Sequence, residues 1–131
     1  MVSLHVDSLF KLKILREVKG GYSMSFLEEL KIAEEFGRFR FCEWIEINDE
    51  YCLSIQCGEG KYCIPKKNVD LDKYTHFEIA FIYKGALSDS HDELLEGFNR
   101  KEELQEYKEG TIYPYVPNDL IEGLYKYLKC R

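Results

Sequence analysis

The chain has 131 residues, 45% of them hydrophobic and 15% aromatic, with 18 Lys and Arg against 24 Asp and Glu. That length fits one domain, 1–131, able to bury roughly two-thirds of its unfolded surface. The formal charge of −6 argues against direct binding of nucleic acid or an anionic membrane, and no stretch reaches the ~18 apolar residues of a membrane span.

At the N-terminus, Met-Val-Ser-Leu-His-Val-Asp lacks the basic start and apolar run of a signal peptide. Over 2–18, Leu12, Ile14 and Arg16 alternate loosely with Lys11, Lys13 and Leu15, which predicts β structure before the Gly20-Gly21 break. Ser25-Phe26-Leu27-Glu28 has the spacing of a capping box. Phe26, Leu27, Leu30, Ala33 and Phe36 follow at helical spacing, so a helix is expected over 26–36 with Gly37 as its left-handed stop.

The centre reads as strands. Residues 39–47 and 50–57 alternate around the Asn48-Asp49 turn pair and predict a hairpin. Gly58-Glu59-Gly60 turns into a short strand over 61–64, which Pro65 ends because it cannot donate to a ladder. After a loop over 66–73, Phe77, Ile79, Phe81 and Tyr83 share one face of a strand over 75–84. These four strands in succession make an antiparallel meander.

Most of the net charge comes next. Residues 88–109 hold eight acids against three bases, −5 of the chain's −6. Ser90-His91-Asp92-Glu93 repeats the capping-box spacing; Leu94, Leu95 and Phe98 predict a short helix, and Arg100–Tyr107 a second. Ile112–Val116 suits a short strand. Asn118 or Asp119 can then cap a last helix, 119–129, with Leu120, Ile121, Leu124, Tyr125 and Leu128 as its apolar stripe. The fold class is therefore α+β: an antiparallel meander sheet, helices 26–36 and 119–129 packed on one face, and an acidic helical insertion at 88–109.

Candidate chemistry is sparse. Cys42, Cys52, Cys57 and Cys63 lack paired Cys-x-x-Cys knuckles, and on the strand reading Cys52 and Cys57 face opposite ways. They read as buried reduced thiols, with no metal or cofactor. His76 and Glu78 share a strand face and, with Glu43, could form a hydrolytic set, but no nucleophile is fixed by spacing. His5 and His91 sit in polar surroundings and carry no evident role. Gly58-Glu59-Gly60-Lys61 lacks the ending and the helix of a phosphate loop. Arg38, Phe39, Arg40 and Phe41, with Lys66 and Lys67, offer an alternative aromatic and basic pocket for a nucleotide signal.

Three pieces, Tyr62-Cys63-Ile64-Pro65-Lys66, Tyr74-Thr75-His76-Phe77-Glu78-Ile79-Ala80 and Tyr113-Pro114-Tyr115-Val116-Pro117, resemble a pattern in small uncharacterised proteins of bacteriophages and prophages. The resemblance covers about half of the chain and carries no assigned catalytic or binding residues. It implies a mobile element's accessory protein, acting in the host bacterial cytoplasm against a defence system.

The resulting expectation is a non-enzymatic protein that binds a partner with a basic surface, such as a defence nuclease. Asp92, Glu93, Glu96, Glu102, Glu103 and Glu106 would steer encounter, and Leu94, Leu95, Phe98 and Tyr107 would supply buried area. The alternatives are the nucleotide binder at Arg38 to Lys67 and a hydrolase using His76 and Glu78. A homo-oligomer is compatible with either binding reading.

Overall fold

A computed structural model describes residues 24–89 and 91–131. The strand expected over 2–18, His5 and the capping role of Ser90 lie outside the described residues. The first described helix, α1 (Phe26–Glu29), begins as its sequence requires: the Ser25 hydroxyl accepts from the Leu27 N–H at 3.2 Å, and Glu28 accepts from the Ser25 N–H at 2.8 Å.

The helix then stops after one turn. Leu30 is extended, with ψ 133°, and the residues expected to complete a helix to 36 form β1 (Ile32–Phe36), antiparallel to β2 (Phe39–Cys42). Gly37 does take a positive φ, +60°. It serves as the first central residue of a two-residue hairpin turn rather than as a helix stop. A short helix makes few hydrogen bonds for the backbone order it demands. Pairing with β2 gives the same residues a ladder, and sets Phe36 edge-on to Phe41 with ring centroids 6.3 Å apart.

The strand expected over 39–47 is also divided. Its second half is β3 (Ile45–Glu46), which joins β4 (Tyr51–Gln56) in a separate sheet, while Glu43 donates its N–H to the Lys31 carbonyl at 2.9 Å. β5 (His76–Tyr83) pairs with β4 in full register, from Tyr51 opposite Tyr83 to Gln56 opposite Glu78. The meander therefore lacks its expected third strand: 61–64 contributes only an isolated bridge from Ile64 to His76. The far edge of β5 is shared instead. β6 (Ala86–Ser88) covers its end, through a turn at Lys84 and Gly85 with φ +49° and +84°, and β7 (Ile112–Pro117) covers its beginning.

Between β6 and β7 lie α2 (Asp92–Leu95) and α3 (Lys101–Gln105), so the acidic segment is a helical insertion as expected. The last helix is α4 (Asn118–Cys130), with Pro117 rather than Asn118 or Asp119 at its N-cap. Its apolar stripe is wholly buried, in one core with Leu53, Ile55, Phe77, Ile79 and Phe81 of the sheet. Phe26 brings α1 into that core, edge-on to Phe77 at 5.6 Å. Glu29 ties α1 to α4, accepting from the Tyr125 hydroxyl at 2.6 Å and pairing with Lys129 at 3.4 Å. The fold is thus the expected α+β class, with its first helix cut to one turn.

Candidate functional site

The acidic segment sorts its residues by polarity. Leu94, Leu95, Phe98 and Leu104 are all buried and belong to the main core, and Tyr107 is half-buried against it. The expectation that Leu94, Leu95 and Phe98 supply contact area to a partner is thereby corrected. Each short helix has too few residues to stand alone, and these side chains are what hold it on the domain. Asp92, Glu93, Glu96, Glu102, Glu103 and Glu106 are exposed. Only Glu103 of these six has an ion-pair partner among the described residues: Arg100, at 2.8 Å, which lowers its carboxyl from the usual range. Arg100 also reaches Asp119 on α4 at 3.0 Å.

His91 anchors the start of the segment and is not polar surface. Its ring stacks on Phe81 with centroids 4.1 Å apart, and Nε2 lies 2.6 Å from the Tyr113 hydroxyl. Burial lowers the imidazole from its ordinary value, and burial pushes the Tyr113 hydroxyl up to about 12.

The nucleotide pocket is not assembled as expected. Arg40 is buried, 7% exposed, and turns inward: its guanidinium donates to the Val69 carbonyl and, at 2.6 Å, to the Tyr74 hydroxyl. The Tyr74 hydroxyl in turn donates to the Lys67 carbonyl at 2.6 Å. Arg40 thus fastens the 66–74 loop to the hairpin. Gly58 makes room for it: at φ +111°, a Cβ there would stand 2.6 Å from Asn68 Oδ1 and 3.1 Å from Arg40 Nε. Arg38 is exposed and pairs with Glu59 at 3.5 Å. Lys66 donates to the Tyr115 hydroxyl at 3.1 Å, and Lys67 is exposed.

In place of a pocket there is an open aromatic face. Because Arg40 and Cys42 point inward on β2, Phe39 and Phe41 point out. Phe36 stands opposite Phe39 in register. The three rings are 60%, 40% and 44% exposed for Phe36, Phe39 and Phe41. Cations lie against them: Lys61 at 4.2 Å from the Phe41 centroid and Arg38 at 5.2 Å from that of Phe39.

Next along the loop, the three motif pieces meet. The Tyr62 N–H donates to Glu78 at 3.0 Å, the Tyr62 carbonyl accepts from the Tyr115 N–H at 3.1 Å, and Ile64 bridges to His76. Tyr62 and Tyr115 pack edge-on at 5.8 Å, with Lys66 over both rings at 5.1 and 5.6 Å. Tyr115 adopts φ +55°, a left-handed conformation rare for a bulky residue. Phe36, Lys61, Tyr62 and Tyr115 join this face only through the fold. Two of them, Tyr62 and Tyr115, carry a signal in the Tyr-containing motifs; the helical spacing of Phe36 hides it.

Each member of the hydrolytic set has another partner. Glu43 pairs with Lys31 at 3.4 Å, Glu78 is engaged by Tyr62, and His76 Nδ1 lies 2.8 Å from the Thr75 hydroxyl. The four central cysteines are free thiols. The nearness of Cys42 and Cys57 lowers the Cys42 thiol and raises that of Cys57. Among the described residues no group of three or more His, Cys, Asp or Glu side chains is placed to hold a metal, and no helix is long and apolar enough to cross a membrane. Comparison with known proteins found no matching family model, no matching curated protein and no matching solved structure.

Proposed function

We propose that the protein is a non-enzymatic binding protein that docks on a basic protein surface through the carboxylates of 92–106. One observation carries the reading: the acids sit outward on short helices whose apolar side chains are locked into the core, and five of the six have no cation partner among the described residues. Carboxylates held on a fixed platform lose little freedom on docking. They raise the rate of encounter with a positive surface and disfavour negative ones. With the neighbouring leucines buried, the contact is chiefly electrostatic and correspondingly sensitive to salt.

The setting, an accessory protein of a phage or prophage that blocks a host defence nuclease in the bacterial cytoplasm, rests on the resemblance of the three Tyr-containing motifs. The test is parallel capture from a bacterial cytoplasm by the wild type and by a triple variant, Asp92→Lys, Glu96→Lys and Glu102→Lys. A protein retained by the wild type and lost by the variant supports the reading. Its association rate should then fall about tenfold in the variant, with a flatter salt dependence. Identical capture and kinetics would reduce the acidic segment to a solvated surface.

A further inference from the structure

The aromatic face of the β1–β2 hairpin is the part of the surface least explained by folding. Six of the eight large hydrophobics exposed among the described residues lie between Phe36 and Ile64. A buried guanidinium beneath three outward phenylalanines reverses the usual order of a protein surface, and both departures are the informative kind. Neither arises from the acidic helices on which the proposed function rests.

We infer that this face binds single-stranded nucleic acid, with bases stacking on Phe36, Phe39 and Phe41 and phosphates drawn to the neighbouring cations. Rings and cations are interleaved here: Arg38 lies over the Phe39 ring, Lys61 over that of Phe41, and Lys66 over those of Tyr62 and Tyr115. A single strand alternates base and phosphate in the same way, and a ring accepts any base because every base has a π-face. The face is open and not enclosed, which suits a polymer that runs across it better than a mononucleotide that needs a concave site.

Local charge is balanced. Arg38, Lys61 and Lys66 lie over rings of this side, Glu59 pairs with Arg38, Glu78 accepts from the Tyr62 N–H, and Glu34 lies opposite Phe41 in register. The net charge of the whole chain, which argues against nucleic acid, is concentrated in residues 88–109. It does not describe this region.

The probe is a labelled oligo-dT of about 12 nucleotides, followed by fluorescence anisotropy at about 50 and 200 mM salt. Binding to the single strand, with weaker binding to a duplex and to inorganic polyphosphate, is expected. Phe36→Ala with Phe41→Ala should weaken it by about tenfold or more. Phe41→Trp, which keeps a stacking surface, should retain it. Lys61→Ala should lower the salt slope by about one unit. Far-UV circular dichroism checks that each variant folds.

Absence of an anisotropy change at low salt overturns the inference. So does equal binding of polyphosphate with no effect of the phenylalanine variants, since charge alone would then be responsible. A wild type that self-associates, and becomes monomeric in the Phe36→Ala, Phe41→Ala variant without binding oligo-dT, would assign the face to a protein interface.

Discussion

In the acidic segment apolar side chains point inward and charges outward: Leu94, Leu95, Phe98 and Leu104 are buried beneath exposed carboxylates. The β1–β2 hairpin is arranged the other way, with Phe36, Phe39 and Phe41 outside and Arg40 inside. Composition alone draws attention to the acidic segment and hides the hairpin. The segment with most charge has the ordinary polarity of a folded surface, so it owes its apolar content to stability and offers a partner only its charge. The hairpin leaves much of its aromatic surface in solvent.

The largest test of this contrast is a pair of truncations. Leu104→Ala, in the core beneath α3, should cost about 2–5 kcal/mol through lost burial and a residual cavity. Phe36→Ala, removing a ring that is 60% exposed, should stay within about 0.5 kcal/mol. Urea midpoints measure both. Equal costs would mean that the hairpin rings are part of the core after all.

A smaller effect sharpens the hairpin's side of the comparison. Arg40→Met keeps much of the buried stem but leaves the Val69 carbonyl and Tyr74 hydroxyl without the guanidinium. The cost should be about 1–3 kcal/mol, and limited proteolysis should cut within 66–74 sooner than in the wild type. A variant as stable and as resistant as the wild type would show that the guanidinium does not hold that loop.

The smallest effect lies at the base of the acidic segment. Burial, with Lys108 acting in the same direction, lowers the His91 imidazole against the opposing pull of Asp92 and Asp89. The unfolded chain therefore binds a proton that the fold resists, so stability is complete above about pH 6.5 and declines as pH falls below it. Between about pH 7.5 and 5.5, the wild type's urea midpoint should drop, and His91→Gln should flatten this part of the profile. An unchanged slope in the variant would place the pH dependence in other groups.

Much of the fold was legible because periodicity acts locally. The alternation of 75–84 and the stripe of 119–129 each report which side meets the core, and both elements form where expected. The insertion at 88–109 was legible from charge and two short apolar sets. The helix expected over 26–36 was not, since Phe26, Leu30, Ala33 and Phe36 satisfy helical spacing whether or not a better pairing partner exists. That partner, β2, wins by offering a backbone ladder and a ring contact, and local propensity carries no record of either.

The candidate site was legible only in part. Arg38, Phe39 and Arg40 drew attention as residue types, yet the single-residue alternation of β2 sends Phe39 outward and Arg40 inward. Tyr62, Lys66, Glu78 and Tyr115 belonged to separate motifs, and the pairing of β5 with β7 and with Ile64 brings them together. By itself the sequence determined the fold class, the position of the acidic insertion and the core stripe of the last helix. Only the tertiary structure decided which apolar residues are buried and which cations face solvent. Burial depends on what packs opposite a side chain, and those neighbours lie tens of residues away along the chain.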